Sequence, residues 1–150
     1  PNYEADDLIA TYTEQILAKG AKVTIVSSDK DLMQLYRKDV RLFDPMKNKF
    51  ITPEDIMNKF GVEPKKVIDV QSLAGDSSDN VPGVPGIGVK TAAELINQYG
   101  TLEKLLDNAH EIKQNKRRET LIENKDKAII SKKLVTLMKD APAQRKIEEF

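Results

Sequence analysis

Three clusters of carboxylates punctuate the chain: Glu4, Asp6 and Asp7 in YEADD, Asp29 and Asp31 in SSDKD, and Asp76 and Asp79 in GDSSDN. Brought to one site with no arginine beside them, these acids would repel one another, and divalent cations would resolve that repulsion. The composition leaves oxygen ligation as the metal chemistry open to the chain, because there is no cysteine and only one histidine, His110. Disulfides, thiolate metal sites and most imidazole-based catalysis are disfavoured on the same ground. Magnesium takes an oxygen octahedron at about 2.0–2.1 Å and keeps several waters, so two ions about 3.5–4 Å apart need several carboxylates and no histidine. Each cluster also has a purely structural reading. Acids in a first helical turn favour the helix dipole by about 0.3–1 kcal/mol. Asp29 stands where an N-cap is expected, and turns favour aspartate wherever they occur.

A second kind of chemistry follows the last acidic pair. In NVPGVPGIGVKTAAELI the glycines of PGVPGIG, Gly83, Gly86 and Gly88, permit positive φ and let the backbone approach a ligand closely. A helix then starts near Gly88 with Lys90 and Thr91 in its first turn, so free amides, a positive dipole end and a lysine converge, which suits a phosphate. The GxxxxGK[ST] spacing of a nucleotide-cradling loop is absent. A hairpin of this GxxGxG kind suits contact with a nucleic-acid backbone without sequence preference; a plain loop between helices is the alternative.

The elements that must hold these residues are readable from periodicity. Ala5, Leu8, Ile9, Tyr12 and Ile16 fall at spacings of three and four, which predicts a helix over 4–18 burying that stripe and stopped by Gly20. A short β-branched strand over 22–26 follows, placing Asp29 and Asp31 just past its carboxyl end, where open α/β sheets build their sites. DKDLMQL suits a short helix, VRLF at 40–43 a second strand and DPMKN a turn before KFI. Thr52 caps a helix with Pro53 in its first turn, and Pro64 opens another running to about Ala74. Beyond Gly75 strand signals nearly vanish: GVKTAAELINQYG, TLEKLLDNA and a long basic stretch from about Lys116 to Met138 all read as helices. The expected division is therefore an α/β part over 1–75 and a helical part over 76–150.

A chain of 150 residues with 39% hydrophobic and 32% charged content is long enough for one core or two small subdomains. Its net charge of zero gives no global argument for a polyanionic partner, but the distribution is uneven. Residues 1–79 hold 11 Lys/Arg against 14 Asp/Glu, and residues 80–150 hold 13 against 10. No apolar run approaches the roughly 18 residues of a membrane span, and no cleavable leader is evident, so a cytoplasmic location is expected.

YEADD, SSDKDLMQL and LAGDSSDNVPGVPGIGVKTAAELI together resemble, in order and spacing, the 5′-nuclease (flap endonuclease) family, in the form its 5′→3′ exonuclease domain takes in bacterial DNA polymerase I. The resemblance covers essentially the whole chain. It implies a partial three-layer α/β (PIN-like) 5′-nuclease domain followed by an all-α subdomain with a helix-two-turn-helix element. It further implies hydrolysis of DNA at 5′ flaps, nicks and 5′ ends with two magnesium or manganese ions, a polymerase domain in the same full-length chain, and bacterial replication and repair as the setting. Glu4, Asp6 and Asp7, Asp29 and Asp31, and Asp76 and Asp79 match the family's metal ligands. The segment from about Val81 to Tyr99 matches the element that grips the duplex backbone, with Lys90 on phosphate and potassium on turn carbonyls around Val84, Ile87 and Val89. The family's part preceding EADD, with two more metal-binding aspartates and a basic arch, is not in these residues, so the 150-residue chain is expected to bind duplex DNA weakly and to cleave poorly or not at all.

Lys116, Arg117, Arg118, Lys125, Lys127, Lys132 and Lys133 could extend the phosphate-contacting surface, or form a solvated face among Glu119, Glu123 and Asp126. His110 is expected exposed and without chemistry. The scattered tyrosines offer no stacking platform for single strands. Two rival readings remain: a duplex-binding module with merely structural carboxylates, and a phosphohydrolase of small phosphate esters suggested by DKD after a strand.

Overall fold

The computed structural model describes residues 5–141, so Glu4 lies outside the described residues. The chain divides into two compact units, one of Pro1–Thr52 with Leu137–Phe150 and one of Pro53–Thr136. Among the described residues no helix is long and apolar enough to cross a membrane.

The first unit is α/β. Helix α1 (Ala5–Ala18) leads into strand β1 (Val23–Val26), which pairs in parallel with β2 (Val40–Asp44), Val23 opposite Val40 and Val26 opposite Phe43. The two-residue strand β3 (Lys49–Phe50) then returns antiparallel to β2. Alternation decides the burial of the strands: Val23 and Ile25 of β1, and Val40 and Leu42 of β2, turn inward, with Leu32 and Leu35 among the buried residues of the connection. DKDLMQL forms a 3₁₀ helix over Lys30–Leu35, the tighter geometry being usual for so short a piece. The α1 stripe departs from expectation. The buried residues are Ala10, Thr11 and Thr13, whereas Ala5 is exposed and Leu8, Ile9, Tyr12 and Ile16 are only half-buried. Threonine can face inward here because Thr11 and Thr13 each donate to the carbonyl four residues back, at 2.8 and 2.7 Å. The Thr11 hydroxyl also accepts the Ala141 amide at 3.0 Å, tying the returning C-terminal segment to α1.

The second unit is helical: α2 (Pro53–Phe60), α3 (Val67–Ala74) after a 3₁₀ turn at Pro64–Lys66, α4 (Val89–Tyr99), α5 (Leu102–Asp107), α6 (Asn115–Glu123) and α7 (Lys125–Val135). Its centre is α3, which packs against α4, α5 and α7 and is buried along Val67, Val70 and Leu73. Composition changes character near Gly75, yet α2 and α3 pack with the helices that follow them. The basic stretch expected as one helix is two. Asn124 breaks it at φ −112°, ψ 22°, its side-chain amide donating to the Thr120 carbonyl at 2.7 Å and closing α6.

Candidate metal centre and nucleic-acid interface

In the first unit the sheet delivers a fixed loop. Beyond β1 the Ser27 amide continues the ladder to the Phe43 carbonyl at 2.9 Å. The Ser28 hydroxyl then donates to Asp44 at 2.8 Å, and the Asp29 amide donates to the Ser27 hydroxyl at 3.0 Å. Asp29 Oδ1 accepts the Asp31 amide at 2.9 Å and so caps the 3₁₀ helix. The capping expected of Asp29 is therefore present, and it is compatible with a second role, because a carboxylate has a second oxygen and about four acceptor sites. Asp6, in the first turn of α1, meets this loop: one carboxylate oxygen each of Asp6, Asp29 and Asp31 lies within 4.8 Å of the others, a spacing that can hold a metal ion. Asp29 is exposed and the other two are half-buried. Asp7 is not in this trio; its Oδ1 accepts the Met138 amide at 2.8 Å.

Asp44 is a site-supporting residue that the sequence did not announce. It is buried at the end of β2 and accepts Ser28, then the Met46 amide at 2.9 Å and the Lys47 amide at 3.2 Å. The Ser28 hydroxyl is the main reason its carboxyl titrates below the usual aspartate value, with the two amides adding to the effect and burial opposing it. An ionised Asp44 thus anchors the loop that carries Asp29. The only available signal was an Asp ending a strand before Pro45, which turn chemistry explains equally well.

In the second unit Asp76 opens a 3₁₀ turn over Ser77–Asp79, its Oδ1 accepting the Ser78 amide at 3.0 Å and the Ser78 hydroxyl at 2.6 Å. Asp79 ends that turn on the surface, and Asn80 reverses the chain at φ 57°. A two-bond bridge closes the loop, Asp76 N to Val81 O at 2.9 Å and Val81 N to Asp76 O at 2.8 Å. The chain then crosses the end of α3. The Val84 amide bonds the Leu73 carbonyl at 2.8 Å, and the Gly83 amide bonds the buried Ser131 hydroxyl at 2.9 Å. A Cβ on Gly83 would lie 2.5 Å from the Gly75 nitrogen and 2.7 Å from the Leu73 oxygen. Gly83, expected among the backbone contacts to a ligand, is buried and holds the crossing together.

Val84–Ile87 forms a β-turn, the Ile87 amide bonding the Val84 carbonyl at 3.2 Å, with Pro85 and Gly86 (φ 78°) at its centre as a type II turn requires. A Cβ on Gly86 or Gly88 would meet nothing within 4 Å, so at these two positions the backbone borders open space. Gly88 N-caps α4 without a side-chain cap, leaving first-turn amides available to a ligand. Lys90 is exposed and Thr91 half-buried. Val84 and Ile87 are buried and Val89 is 42% exposed.

Two of the basic residues with a possible phosphate role serve the fold. Lys132 reaches Asp69 at 3.0 Å and also Glu103, and Asp69 accepts the Leu102 amide at 3.3 Å, which joins α3, α5 and α7. Arg118 donates to the Ile112 carbonyl at 2.9 Å and to Asn115 Oδ1 at 2.7 Å, securing the start of α6. His110 is exposed beside Glu111.

Two family models match end to end, 5′-3′ exonuclease, N-terminal resolvase-like domain over residues 1–61, and 5′-3′ exonuclease, C-terminal SAM fold over residues 62–150. DNA polymerase I of Rhizobium leguminosarum is 58% identical over 140 residues, covering 93% of this chain and 14% of that protein. The 5′-3′ exonuclease of Aquifex aeolicus is 42% identical over 150 residues, all of this chain and 50% of that one. The chain thus spans half or less of these two relatives. Among solved structures, T5 5′-exonuclease with bound divalent metal ions (zinc) superposes with a TM-score of 0.83 at 25% identity, covering 91% of this chain and 51% of that one. The fold is accordingly an α/β, resolvase-like part joined to a helical one, and the chain belongs to the 5′-3′ exonuclease family.

Proposed function

We propose that this chain is the portion of a bacterial DNA polymerase I that carries most of the metal ligands and the duplex grip of its 5′→3′ exonuclease, an enzyme that hydrolyses DNA at 5′ flaps, nicks and 5′ ends during replication and repair. The observation that carries this reading is the approach of Asp6, Asp29 and Asp31 to within 4.8 Å in a chain of this family. An all-oxygen donor set suits a hard divalent cation, so magnesium, or manganese in its place, is the proposed cofactor, two ions in number. Glu4, Asp6, Asp7, Asp29 and Asp31 of the first unit and Asp76 and Asp79 of the second are the proposed ligands. When bound, such ions lower the pKa of a water and stabilise the charge on the attacking and leaving oxygens of a phosphodiester.

In this reading residues 1–75 serve mainly the chemistry and residues 76–150 mainly the substrate. The open backbone at Gly86 and Gly88, the uncapped first turn of α4, Lys90 and Thr91 hold a phosphate of the duplex without reading its sequence. Potassium is the proposed ion on the carbonyls of Val84, Ile87 and Val89. The polymerase portion belongs to the same full-length chain, and the location is the bacterial cytosol.

The test is cleavage of a 5′-flap duplex by the full-length parent in magnesium, comparing the unaltered protein with Asp29→Asn and Asp76→Asn. The expected outcome is a loss of at least about a hundredfold in rate, with duplex affinity retained. Cleavage that survives both substitutions would favour a non-catalytic duplex-binding role for these residues.

A further inference from the structure

We propose that residues 137–141, the stretch after α7, act as a strap that fixes the spacing of the carboxylate trio, with Thr11 and Gln34 as its positioning residues. The inference rests on the reading of Asp6, Asp29 and Asp31 as a metal centre and adds the part that holds α1 and the 3₁₀ helix in register. These five residues form no helix or strand, yet three of their amides are met by side chains of the first unit. Leu137 donates to Gln34 Oε1 at 3.0 Å, Met138 to Asp7 Oδ1 at 2.8 Å and Ala141 to the Thr11 hydroxyl at 3.0 Å. The Thr11 proton faces the Asp7 carbonyl at 2.8 Å and the Met138 carbonyl at 3.3 Å, so this one hydroxyl serves both the helix and the strap. Lys139 adds an ion pair to Glu14 of α1 at 3.5 Å, which at a half-exposed position contributes little.

The strap's partners are placed with respect to the trio. Asp7 adjoins Asp6, and Asp7 and Thr11, four apart, share one face of α1. Gln34 follows Asp31 by three residues in the 3₁₀ helix, where such positions eclipse. The strap therefore bonds both elements that carry the trio, α1 with Asp6 and the 3₁₀ helix with Asp31, and Asp31 is tied to Asp29 through the cap. A cover for α1 alone would be satisfied without Gln34; the bond from Leu137 makes the segment a clamp across the two. Precision is what such a clamp supplies. Oxygen ligands of magnesium must converge at about 2.0–2.1 Å in a near-ideal octahedron, and a site must be held to within about 0.5 Å by the groups around it. Asp7, an acid of the YEADD motif, thus has a holding task beside any ligation.

The experiment titrates the 150-residue chain with manganese, read from the free-ion paramagnetic signal. It compares the unaltered chain with the pair Thr11→Val with Gln34→Met, with Thr11→Ser, and with Thr13→Val, whose hydroxyl donates to the Ile9 carbonyl within α1. The pair is expected to bind manganese about tenfold more weakly. Thr11→Ser, which keeps the hydroxyl, and Thr13→Val should match the unaltered chain. Coupling is reciprocal, so a strap that tightens metal binding tenfold is held tenfold more tightly by the metal. Hydrogen exchange of the Leu137, Met138 and Ala141 amides in the unaltered chain should accordingly slow by up to about tenfold in saturating magnesium, a response that a purely structural tie does not give. If the unaltered chain binds manganese but the pair binds it equally well, or exchange at these amides ignores magnesium, the strap is refuted and the metal centre stands. Equal weakening by Thr13→Val would also overturn the strap, since general loosening of α1 would then account for the loss. If the unaltered chain binds no manganese, the metal-centre reading fails and the strap's role with it.

Discussion

At the scale of single residues, the segment joining the second acidic loop to the turn depends on two glycines for different reasons. Gly83 has φ 63° and no room for a Cβ, the nearest atoms being backbone of Gly75 and Leu73 at the end of α3. Gly86 has φ 78° but open space around it. Left-handed geometry alone costs an alanine about 1–2 kcal/mol, and a backbone overlap adds to that because rigid neighbours cannot give way. Gly83→Ala should therefore lower the unfolding free energy by about 3 kcal/mol or more and Gly86→Ala by about 1 kcal/mol, read from urea midpoints at constant slope. Equal losses would contradict the packing described for Gly83. Both glycines look alike in PGVPGIG. What separates them is a long-range contact with α3, which local spacing does not encode.

Between elements, the notable link is Lys132 of α7 between Asp69 of α3 and Glu103 of α5. Lys132→Met leaves the largely buried Asp69 carboxylate without its cation, an expected loss of about 2 kcal/mol. Glu103→Gln should cost much less, since Glu103 is mostly exposed. The hydrogen bond from Lys132 holds Glu103 below its ordinary value of 4.5, burial opposing. Its contribution is therefore present above that value and is lost as pH falls through the lower folded pKa. For Lys132, burial disfavours the ammonium, but hydrogen bonds to Glu103 and Asp69 outweigh it and raise the pKa above 10.5. That contribution is present below 10.5 and disappears as pH rises through the higher folded value. The stability difference between the unaltered chain and Lys132→Met should accordingly be flat between about pH 5 and 10 and shrink outside it. A difference that varies across the neutral range would contradict the triad. Helix α5 was legible because capping and period agree, Thr101 accepting the Lys104 amide at its start. The α1 face was not, because its threonines are buried by satisfying their hydroxyls within the helix and against the returning segment, a tertiary circumstance that period cannot show.

For the whole molecule, fold class was readable, and the proposed ligands could be named, because three short motifs keep their order, and each sits where an element begins or ends. The supporting residues were not readable: Asp44, Asp69 and Ser131 act through partners 16, 33 and 48 positions away. The central claim is that the chain holds divalent metal on carboxylates that the sheet and α1 bring together. Manganese titration of the 150-residue chain, followed by the loss of the free-ion paramagnetic signal, tests it most directly, with the unaltered chain set against the pair Asp29→Asn with Asp31→Asn. Each substituted amide keeps its side-chain carbonyl oxygen, so the Asp29 cap survives while the charge that holds the ion is removed. The account predicts saturable binding weakened by at least about a hundredfold in the pair. Equal manganese affinity in both proteins would contradict it.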